Sequence, residues 1–350
     1  MKTRAKPAAP GAPHGTTLIN ENPAGTVRTL SYIDAINEGL RDEMRADPTV
    51  FLLGEDIGAY GGAFKATKGL LEEFGEDRVI DTVLAEGAII GAATGSALAG
   101  LKPVAEMQFS DFVSNGFNQL VNVTAKYYYR NFVPVPMVVR LPSGGGIRGG
   151  PFHSANIEAW FFHTPGLKLV APSTPYDAKG LIRAAIREPN PVLYFEYKYL
   201  YRHIKGELPE GDYNVPIGRA DIKRAGSDIT IVTYGTGVHW SLEAAGVLAG
   251  EGVEVEVLDL RTLMPFDREM IMTSVKKTGK VLIVHEANLT GGVGAEISAF
   301  IGAGAFQFLD APVRRLAAPD TPVPYAPPLE DAFLPNAEKT ADALRLLAAY

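Results

Sequence analysis

Short runs of β-branched and aromatic residues alternate with longer segments of helical periodicity along most of the chain. The first helical segment begins with a capping-box pattern at Ser31 and Asp34, repeats apolar residues on one face and ends before Pro48. Six apolar runs in the first part of the chain are predicted to be strands: residues 49–56, 78–82, 103–109, 136–142, 167–173 and 191–198. Strands that alternate with helices are typical of a parallel sheet covered by helices.

This periodicity fails between His203 and Arg219, where glycine, proline and charged residues dominate, so we place a domain boundary there. A second, shorter series of strands and helices follows. Its strands are predicted at residues 228–235, 253–260, 280–287 and 312–319. The chain is therefore predicted to be an α/β protein with two parallel-sheet domains, residues 28–205 and 219–350, joined by a linker at 206–218.

Residues 1–27 differ from the rest of the chain because they contain no acid before Glu21 and have prolines at positions 7, 10 and 13. A transit peptide is basic as well, but prolines oppose the amphipathic helix that it needs. We therefore predict a flexible tail.

The composition excludes several classes of protein. Hydrophobic residues make up 46% of the 350 residues and charged residues 21%, which is typical of a globular chain with a large core. The formal net charge of −7 argues against a nucleic-acid partner or an anionic membrane surface, and no apolar run reaches the ~20 residues of a membrane span. The absence of cysteine excludes disulfides, thiolate metal sites and cysteine nucleophiles, and favours the cytoplasm.

The common catalytic motifs GxxxxGK[ST], GxSxG and HExxH are absent from the sequence. The segment GGVGAE, Gly291 to Glu296, follows a predicted strand and opens a helix, but it lacks the full GxGxxG pattern of a dinucleotide site. A glycine turn that feeds a helix is the better interpretation. A second glycine-rich loop, Ser143 to Asn156, follows a strand and carries Arg148 and His153, which would supply a cation and a proton shuttle to a ligand. A long surface loop without function is the alternative, but the position after the carboxyl end of a strand favours a ligand.

Glu86 follows the apolar residues VLA and precedes a helix of small residues in which glycine recurs at every fourth position. Burial raises the pKa of a carboxylic acid toward neutrality, which suits proton exchange. A helix N-terminal acid favoured by the macrodipole is an equally good interpretation of Glu86 from its local sequence. Asp111 is interpreted as a helix cap.

Five stretches together resemble the beta subunit of the thiamin-diphosphate-dependent 2-oxo acid dehydrogenase component: residues 52–70, 75–109, 118–130, 153–202 and 283–297. The resemblance implies a transketolase-like pyrimidine-binding domain followed by a smaller transketolase C-terminal-like domain. It also implies that the beta subunit grips the aminopyrimidine of thiamin diphosphate, while a separate alpha subunit supplies the magnesium and diphosphate site. The sequence fits this division because it lacks the GDG motif of self-contained thiamin enzymes. Alone, the chain is expected to be inactive.

The resemblance assigns roles to individual residues. Glu86 matches the glutamate that hydrogen-bonds the pyrimidine nitrogen and so promotes deprotonation of the cofactor, and His153 matches a histidine used in substrate and lipoyl handling. Three further residues match positions that line the pyrimidine pocket: Leu84, Gln108 and Phe112. The segment AIREPN resembles a loop that binds a structural potassium ion, with four matching residues: Ala185, Ile186, Glu188 and Asn190. An ordinary helix end before Pro189 is an equally good interpretation of this segment.

The implied reaction is oxidative decarboxylation of a 2-oxo acid with acyl transfer to lipoyl on an acyltransferase core. The motifs GGAFKAT and FEYKYLYR are closer to branched-chain members, which favours 3-methyl-2-oxobutanoate, whereas Phe112 in place of tyrosine leans toward pyruvate or acetoin. The resemblance further implies an α2β2 heterotetramer in the cytoplasm, or in the mitochondrial matrix of a eukaryote. Two other classes stay open, an NAD-dependent oxidoreductase and a non-catalytic assembly subunit.

Overall fold

The computed structural model describes residues 27–350, so the predicted tail lies outside the described residues apart from Val27. Within this range the strands are β1 (Val27–Ser31), β2 (Val50–Gly54), β3 (Val79–Asp81), β4 (Lys102–Glu106), β5 (Val138–Ser143), β6 (Lys168–Val170), β7 (Val192–Tyr197), β8 (Lys205–Pro209), β9 (Asp221–Arg224), β10 (Ile229–Thr233), β11 (Val255–Asp259), β12 (Thr262–Met264), β13 (Val281–Asn288) and β14 (Arg314–Ala318).

The helices follow the predicted alternation with the strands. They are α1 (Tyr32–Ala46), α2 (Leu70–Phe74), α3 (Glu86–Leu98), α4 (Ala125–Asn131), α5 (Glu158–Phe162), α6 (Pro175–Arg187), α7 (Leu200–His203), α8 (Thr236–Gly250), α9 (Arg268–Thr278), α10 (Val293–Ala305), α11 (Pro327–Phe333) and α12 (Ala337–Ala348). A 3-10 segment at Ser110–Gly116 and a π-helical segment at Gln119–Thr124 connect β4 to α4.

The first sheet has seven strands in the order β12-β6-β7-β5-β4-β2-β3. All of its pairs are parallel except β12 with β6. Every residue of β2, β5 and β7 is buried, because helices cover both faces of the sheet. The six strands predicted for this part of the chain are all present.

The second sheet has five strands in the order β14-β13-β10-β11-β9, and β9 is antiparallel to β11. Its four predicted strands are present as well. The α/β class with two mostly parallel sheets is therefore confirmed. The short antiparallel edge strands β9 and β12 were not predicted, because neither segment shows a recognisable pattern of apolar and polar residues.

The predicted linker contains regular structure. Strand β8 pairs antiparallel with β1, with Val27 opposite Pro209, so the first residues of the described chain return to the domain boundary. Strand β12, which comes from the second half of the chain, adds to the edge of the first sheet. The two halves are therefore joined by a shared strand as well as by the chain.

The predicted helix starts have the local chemistry that the sequence indicates. The Ser31 hydroxyl accepts the N–H of Asp34 at 3.3 Å and caps α1. Thr174 caps α6 in the same way, at 3.1 Å from the N–H of Asp177, ahead of Pro175. Helix α1 packs closely on α6, since a Cβ at Gly39 would lie 2.5 Å from Ile182.

No helix within residues 27–350 combines the length and the apolar character needed to cross a bilayer.

A buried polar cluster joins the two halves. The Glu158 carboxylate of α5 accepts the hydroxyl of Tyr234, which follows β10, at 2.8 Å, and that of Tyr197 in β7 at 3.3 Å. Burial raises the pKa of Glu158 to about 7. The folded chain therefore holds a proton on Glu158 at pH values where the unfolded chain has released it.

Glu158→Gln is expected to stabilise the chain relative to wild type increasingly between about pH 5 and about pH 8. The stabilisation from the proton on Glu158 is complete below the unfolded pKa of ~4.3 and is lost as the pH rises through the folded pKa, whereas the amide does not titrate. Thermal unfolding of both variants across this range measures the effect. Glu72→Gln, at an exposed position, is the control. A difference in Tm that does not change with pH would contradict the expectation.

Candidate active site

The candidate residues lie where parallel strands of the first sheet end, which is where open α/β sheets bind ligands. Glu86 follows β3, Gln108 follows β4, and the loop that carries His153 follows β5. In the sheet β4 lies between β2 and β5, and β3 flanks β2. The topology therefore brings these segments to one edge, although they are far apart in sequence.

Glu86 is the first residue of α3 and is only 5% exposed. Its Oε2 accepts the side-chain amide of Asn115, from the 3-10 segment, at 3.2 Å. The sequence allowed a buried acid or a helix N-terminal acid at this position, and Glu86 is both. Its carboxylate is buried and lies at a helix N-terminus, where the dipole favours negative charge.

Glu55 lies beside Glu86 and was missed by the sequence analysis. It follows β2 and is 6% exposed, and its pKa is raised by burial and then by the charge of Glu86. A second acid directly after a buried strand, in LLGED, is the signal that was available in the sequence. Four buried polar atoms at this edge of the sheet and on the adjoining π-helical segment have no partner within the described chain: Glu55 Oε1, Thr82 Oγ1, Gln108 Oε1 and Gln119 Oε1.

Buried polar atoms are almost always hydrogen-bonded in folded proteins, so this group suits a ligand with its own donors and acceptors. An aminopyrimidine has both, together with a flat apolar face. Leu84, in contrast, is 80% exposed in this chain, and Phe112 is partly buried. The predicted pocket-lining residues therefore differ in exposure, and the side chain of Leu84 is not enclosed by this chain.

His153 lies between two phenylalanine rings. Its imidazole packs edge-to-face against Phe109 at 5.5 Å between ring centroids and against Phe112 at 5.4 Å. The segment after it is fixed by Asp111, whose carboxylate accepts the N–H of Ala155 at 3.0 Å. The interpretation of Asp111 as a helix cap was therefore wrong, because its side chain accepts from a distant loop instead of the local helix.

Arg148 was expected to give the glycine loop a cation for a ligand. Its guanidinium instead forms ion pairs with Glu330 at 2.9 Å and with Asp331 at 2.8 Å, both in α11 of the second half. Its charge is therefore compensated within the chain, and this expectation was wrong.

Lys198 is a buried cation that the sequence analysis did not single out. It is 3% exposed, its Nζ lies 5.3 Å from the centroid of the Phe109 ring, and it donates to the Pro142 carbonyl at 3.3 Å. Burial lowers its pKa to about 8. Lysine is so commonly exposed that its place in the sequence carries no signal of burial.

The GGVGAE segment is a turn into α10. A Cβ at Gly292 or at Gly294 would lie 2.7 Å from the ring of His285, so both glycines are required by close packing against that histidine. This packing explains the glycines without a phosphate and supports the glycine-turn interpretation.

The four residues of the predicted potassium loop lie at and after the end of α6. Ala185 and Ile186 belong to its last turn, and Glu188 caps the helix end and pairs with Lys168 at 2.6 Å. The Oδ1 of Asn190 is buried and has no partner within the described chain.

Comparison with known proteins first gives the class. Residues 28–203 match the transketolase pyrimidine-binding domain and residues 218–340 match the transketolase C-terminal domain. A solved split-gene transketolase, an inactive β4 tetramer, has a TM-score of 0.75 to this chain at 21% identity and covers 91% of this chain and 98% of its own. The chain therefore has the two-domain fold of the thiamin-diphosphate-dependent transketolase class.

Curated relatives define the family within this class. The 2-oxoisovalerate dehydrogenase subunit beta of Bacillus subtilis is 52% identical over 92% of this chain and 99% of its own length. The acetoin:2,6-dichlorophenolindophenol oxidoreductase subunit beta of the same organism is 44% identical over 89% and 95%. The pyruvate dehydrogenase E1 component subunit beta of Staphylococcus epidermidis is 43% identical over 88% and 95%. The chain belongs to the family of E1 beta subunits of 2-oxo acid dehydrogenases, which are oxidoreductases of the EC 1.2.4 type.

Proposed function

We propose that this beta subunit serves a branched-chain 2-oxo acid dehydrogenase complex. Its reaction is oxidative decarboxylation of 3-methyl-2-oxobutanoate with transfer of the acyl group to lipoyl on a dihydrolipoyl acyltransferase core. The 52% identity to a 2-oxoisovalerate dehydrogenase subunit, against 44% and 43% to acetoin and pyruvate relatives, supports this choice of substrate. Pyruvate or acetoin is the alternative substrate, favoured by Phe112.

The observation that carries the proposal is the buried Glu86 carboxylate at the edge of the sheet, near buried polar atoms that have no partner within residues 27–350. Glu86 would hold the pyrimidine nitrogen of thiamin diphosphate, and the side-chain amide of Asn115 donates to the Glu86 carboxylate at 3.2 Å. Gln108 would supply a polar contact, with Leu84 and Phe112 against the ring faces. When bound, the cofactor supplies the electron sink that decarboxylation needs.

His153 would act on the substrate and lipoyl side of the same cleft. Two phenylalanines hold the imidazole edge-on, which restricts the directions in which its ring nitrogens point. A neutral imidazole both donates and accepts a proton near neutral pH. His153 would therefore hold or move a proton while the acyl group passes to lipoyl.

An alpha subunit is required by this proposal. The alpha subunit would supply the magnesium and diphosphate site; within residues 27–350 there is no group of three carboxylate or imidazole side chains able to hold a metal ion. Large apolar side chains are exposed near the cleft and on α4 and the turn after it, as expected of a surface that a partner covers. They are Val83 at 79%, Leu84 at 80%, Tyr129 at 88% and Phe132 at 80%.

The proposed assembly is an α2β2 heterotetramer in the cytoplasm, with the acyltransferase core docked on the C-terminal domain. On the small-residue face of α3, Gly87 lies against the backbone of Asn115. A Cβ at Gly95 would meet no atom within 4 Å, so a second subunit would have room to pack against α3 at that position. A potassium ion at residues 185–190 stays a prediction. It has the buried Asn190 oxygen in its favour, and it competes with Lys168 for Glu188.

Reconstitution with an alpha subunit of the same family is expected to yield thiamin-dependent substrate oxidation, with 3-methyl-2-oxobutanoate giving the highest kcat/KM. The assay compares this acid with pyruvate and acetoin, with and without a lipoyl acceptor, and the beta chain alone is the control. A preference for pyruvate or acetoin would overturn the substrate assignment. Saturable NADH binding by the isolated chain would instead support the oxidoreductase alternative.

Glu86→Gln is expected to lower turnover by at least ~10²-fold, the typical contribution of a proton-transferring group. The amide keeps the shape of the side chain but does not carry the exchangeable proton. Turnover of the reconstituted enzyme measures the effect, and sedimentation shows whether the assembly is intact. Glu72→Gln, an exposed change of the same kind, is the control. Undiminished turnover would refute the role of Glu86 and favour a non-catalytic assembly subunit.

His153→Ala is expected to slow acyl transfer to lipoyl more than decarboxylation with an artificial electron acceptor. The methyl side chain removes the proton-exchanging group but leaves the cleft around Glu86 in place. The two rates are measured on the same enzyme, with the exposed His163→Ala as control. Equal losses in both assays would count against a role in lipoyl handling.

A further inference from the structure

The loop that carries His153 has a backbone without a repeating conformation. Gly144, Gly146, Arg148 and Gly150 all adopt positive φ, at 86°, 78°, 62° and 69°. Because residues of positive φ alternate with other conformations, the loop forms few backbone hydrogen bonds within itself. The position of the loop must therefore be set by contacts to its surroundings.

Glu286 of strand β13 is one of these contacts. It belongs to the second domain and is 3% exposed. Its Oε1 accepts the backbone N–H of Gly145 at 2.6 Å and the side-chain amide of Asn156 at 3.0 Å. A single carboxylate oxygen therefore holds both ends of the loop.

Glu330 of helix α11 is the second contact, and it is fully buried. Its Oε1 accepts the N–H of Gly146 at 2.9 Å, and its Oε2 accepts Nη1 of Arg148 at 2.9 Å. The backbone of the loop packs closely against both acids. A Cβ at Gly144 would lie 2.8 Å from Glu286 Oε1, and a Cβ at Gly145 would lie 3.1 Å from Glu330 Oε1.

The residues that contact the second domain continue along the backbone to His153. After Arg148, the backbone passes Gly150 beside Tyr325 of the second domain, where a Cβ would lie 2.7 Å from the Tyr325 ring. The N–H of His153 then donates to the Gly150 carbonyl at 3.3 Å. Contacts to the second domain at residues 145, 146, 148, 150 and 156 thus bracket His153, while its ring rests on phenylalanines of the first domain.

We infer that Glu286 and Glu330 are positioning residues through which the C-terminal domain fixes the His153 loop against the first domain. The inference rests on the proposed function in assigning a reaction role to His153. Carboxyl groups suit this task because each has two oxygens that accept hydrogen bonds, and a bond from the charged guanidinium of Arg148 is about twice as strong as a neutral one. Neither acid contacts the reacting groups, so both act through the histidine.

Glu330→Gln tests the anchor directly. An amide has one accepting atom, so it does not accept from Gly146 and Arg148 at its two ends. In the reconstituted enzyme, the peptide covering residues 143–156 should exchange its amide hydrogens about tenfold faster, as expected when a hydrogen bond to a charged group is lost. Glu256→Gln is the matched control, because Glu256 is equally buried in the same domain and contacts Thr230 and Lys277 instead of the loop. Unchanged exchange in Glu330→Gln, or equal acceleration in the control, would overturn the inference.

A double-mutant cycle tests whether the effect passes through His153. Glu330→Gln alone should lower acyl transfer to lipoyl, whereas adding it to His153→Ala should cause no further loss, since the group to be positioned is already absent. Losses that multiply in the double variant would contradict the inference. If the Glu330→Gln variant does not fold, Arg148→Gln replaces it in the cycle. The Arg148 side chain is partly exposed, and its loss removes only one of the contacts of Glu330.

The two proposals fail in different ways. If His153→Ala leaves acyl transfer unchanged, the reaction role assigned to His153 is wrong, and the inference falls with it. If His153→Ala lowers acyl transfer while Glu330→Gln alters neither loop exchange nor acyl transfer, the proposed function stands and only the positioning role is lost.

Discussion

The guanidinium of Arg140 joins three central strands of the first sheet. Arg140 lies in β5 and is 1% exposed; it donates to Glu196 of β7 at 2.6 and 2.8 Å and also pairs with Glu106 of β4. Burial raises the pKa of Glu106, so its charge depends on this partner. Loss of one member of such a group leaves an uncompensated buried charge, at a cost of about 3–5 kcal/mol. The register of β4, β5 and β7 is therefore specified at the edge from which Gln108 and the His153 loop extend.

The candidate site is assembled from separate parts. The first domain supplies the carboxylate of Glu86 and the aromatic rings around His153, whereas the second domain supplies the acids that hold the histidine loop. Leu84 and the apolar side chains of α4 are exposed in this chain. Under the proposed function, the alpha subunit would cover them and the cofactor would lie between the two subunits.

Much of this architecture follows from local sequence. Apolar runs of four to eight residues predicted the central strands, because strands buried on both faces need continuous apolar sequence. The capping-box pattern at Ser31 and Asp34 predicted the start of α1 from an interaction within three residues. The local sequence left two interpretations of Glu86 open, a buried proton-exchanging acid and a helix N-terminal acid, and the resemblance of long stretches then predicted a role in proton exchange.

What the sequence determined by itself was therefore the order and type of the main elements, the two α/β domains and the candidate acid. Only the tertiary structure decided that Arg148 neutralises acids of α11, that Asp111 accepts from Ala155, that Lys198 is buried and that Glu55 lies beside Glu86. Each of these contacts joins residues from different elements, and most span tens of residues or more. Local periodicity reports which face of an element is buried, but it carries no information about which distant side chain will meet it there.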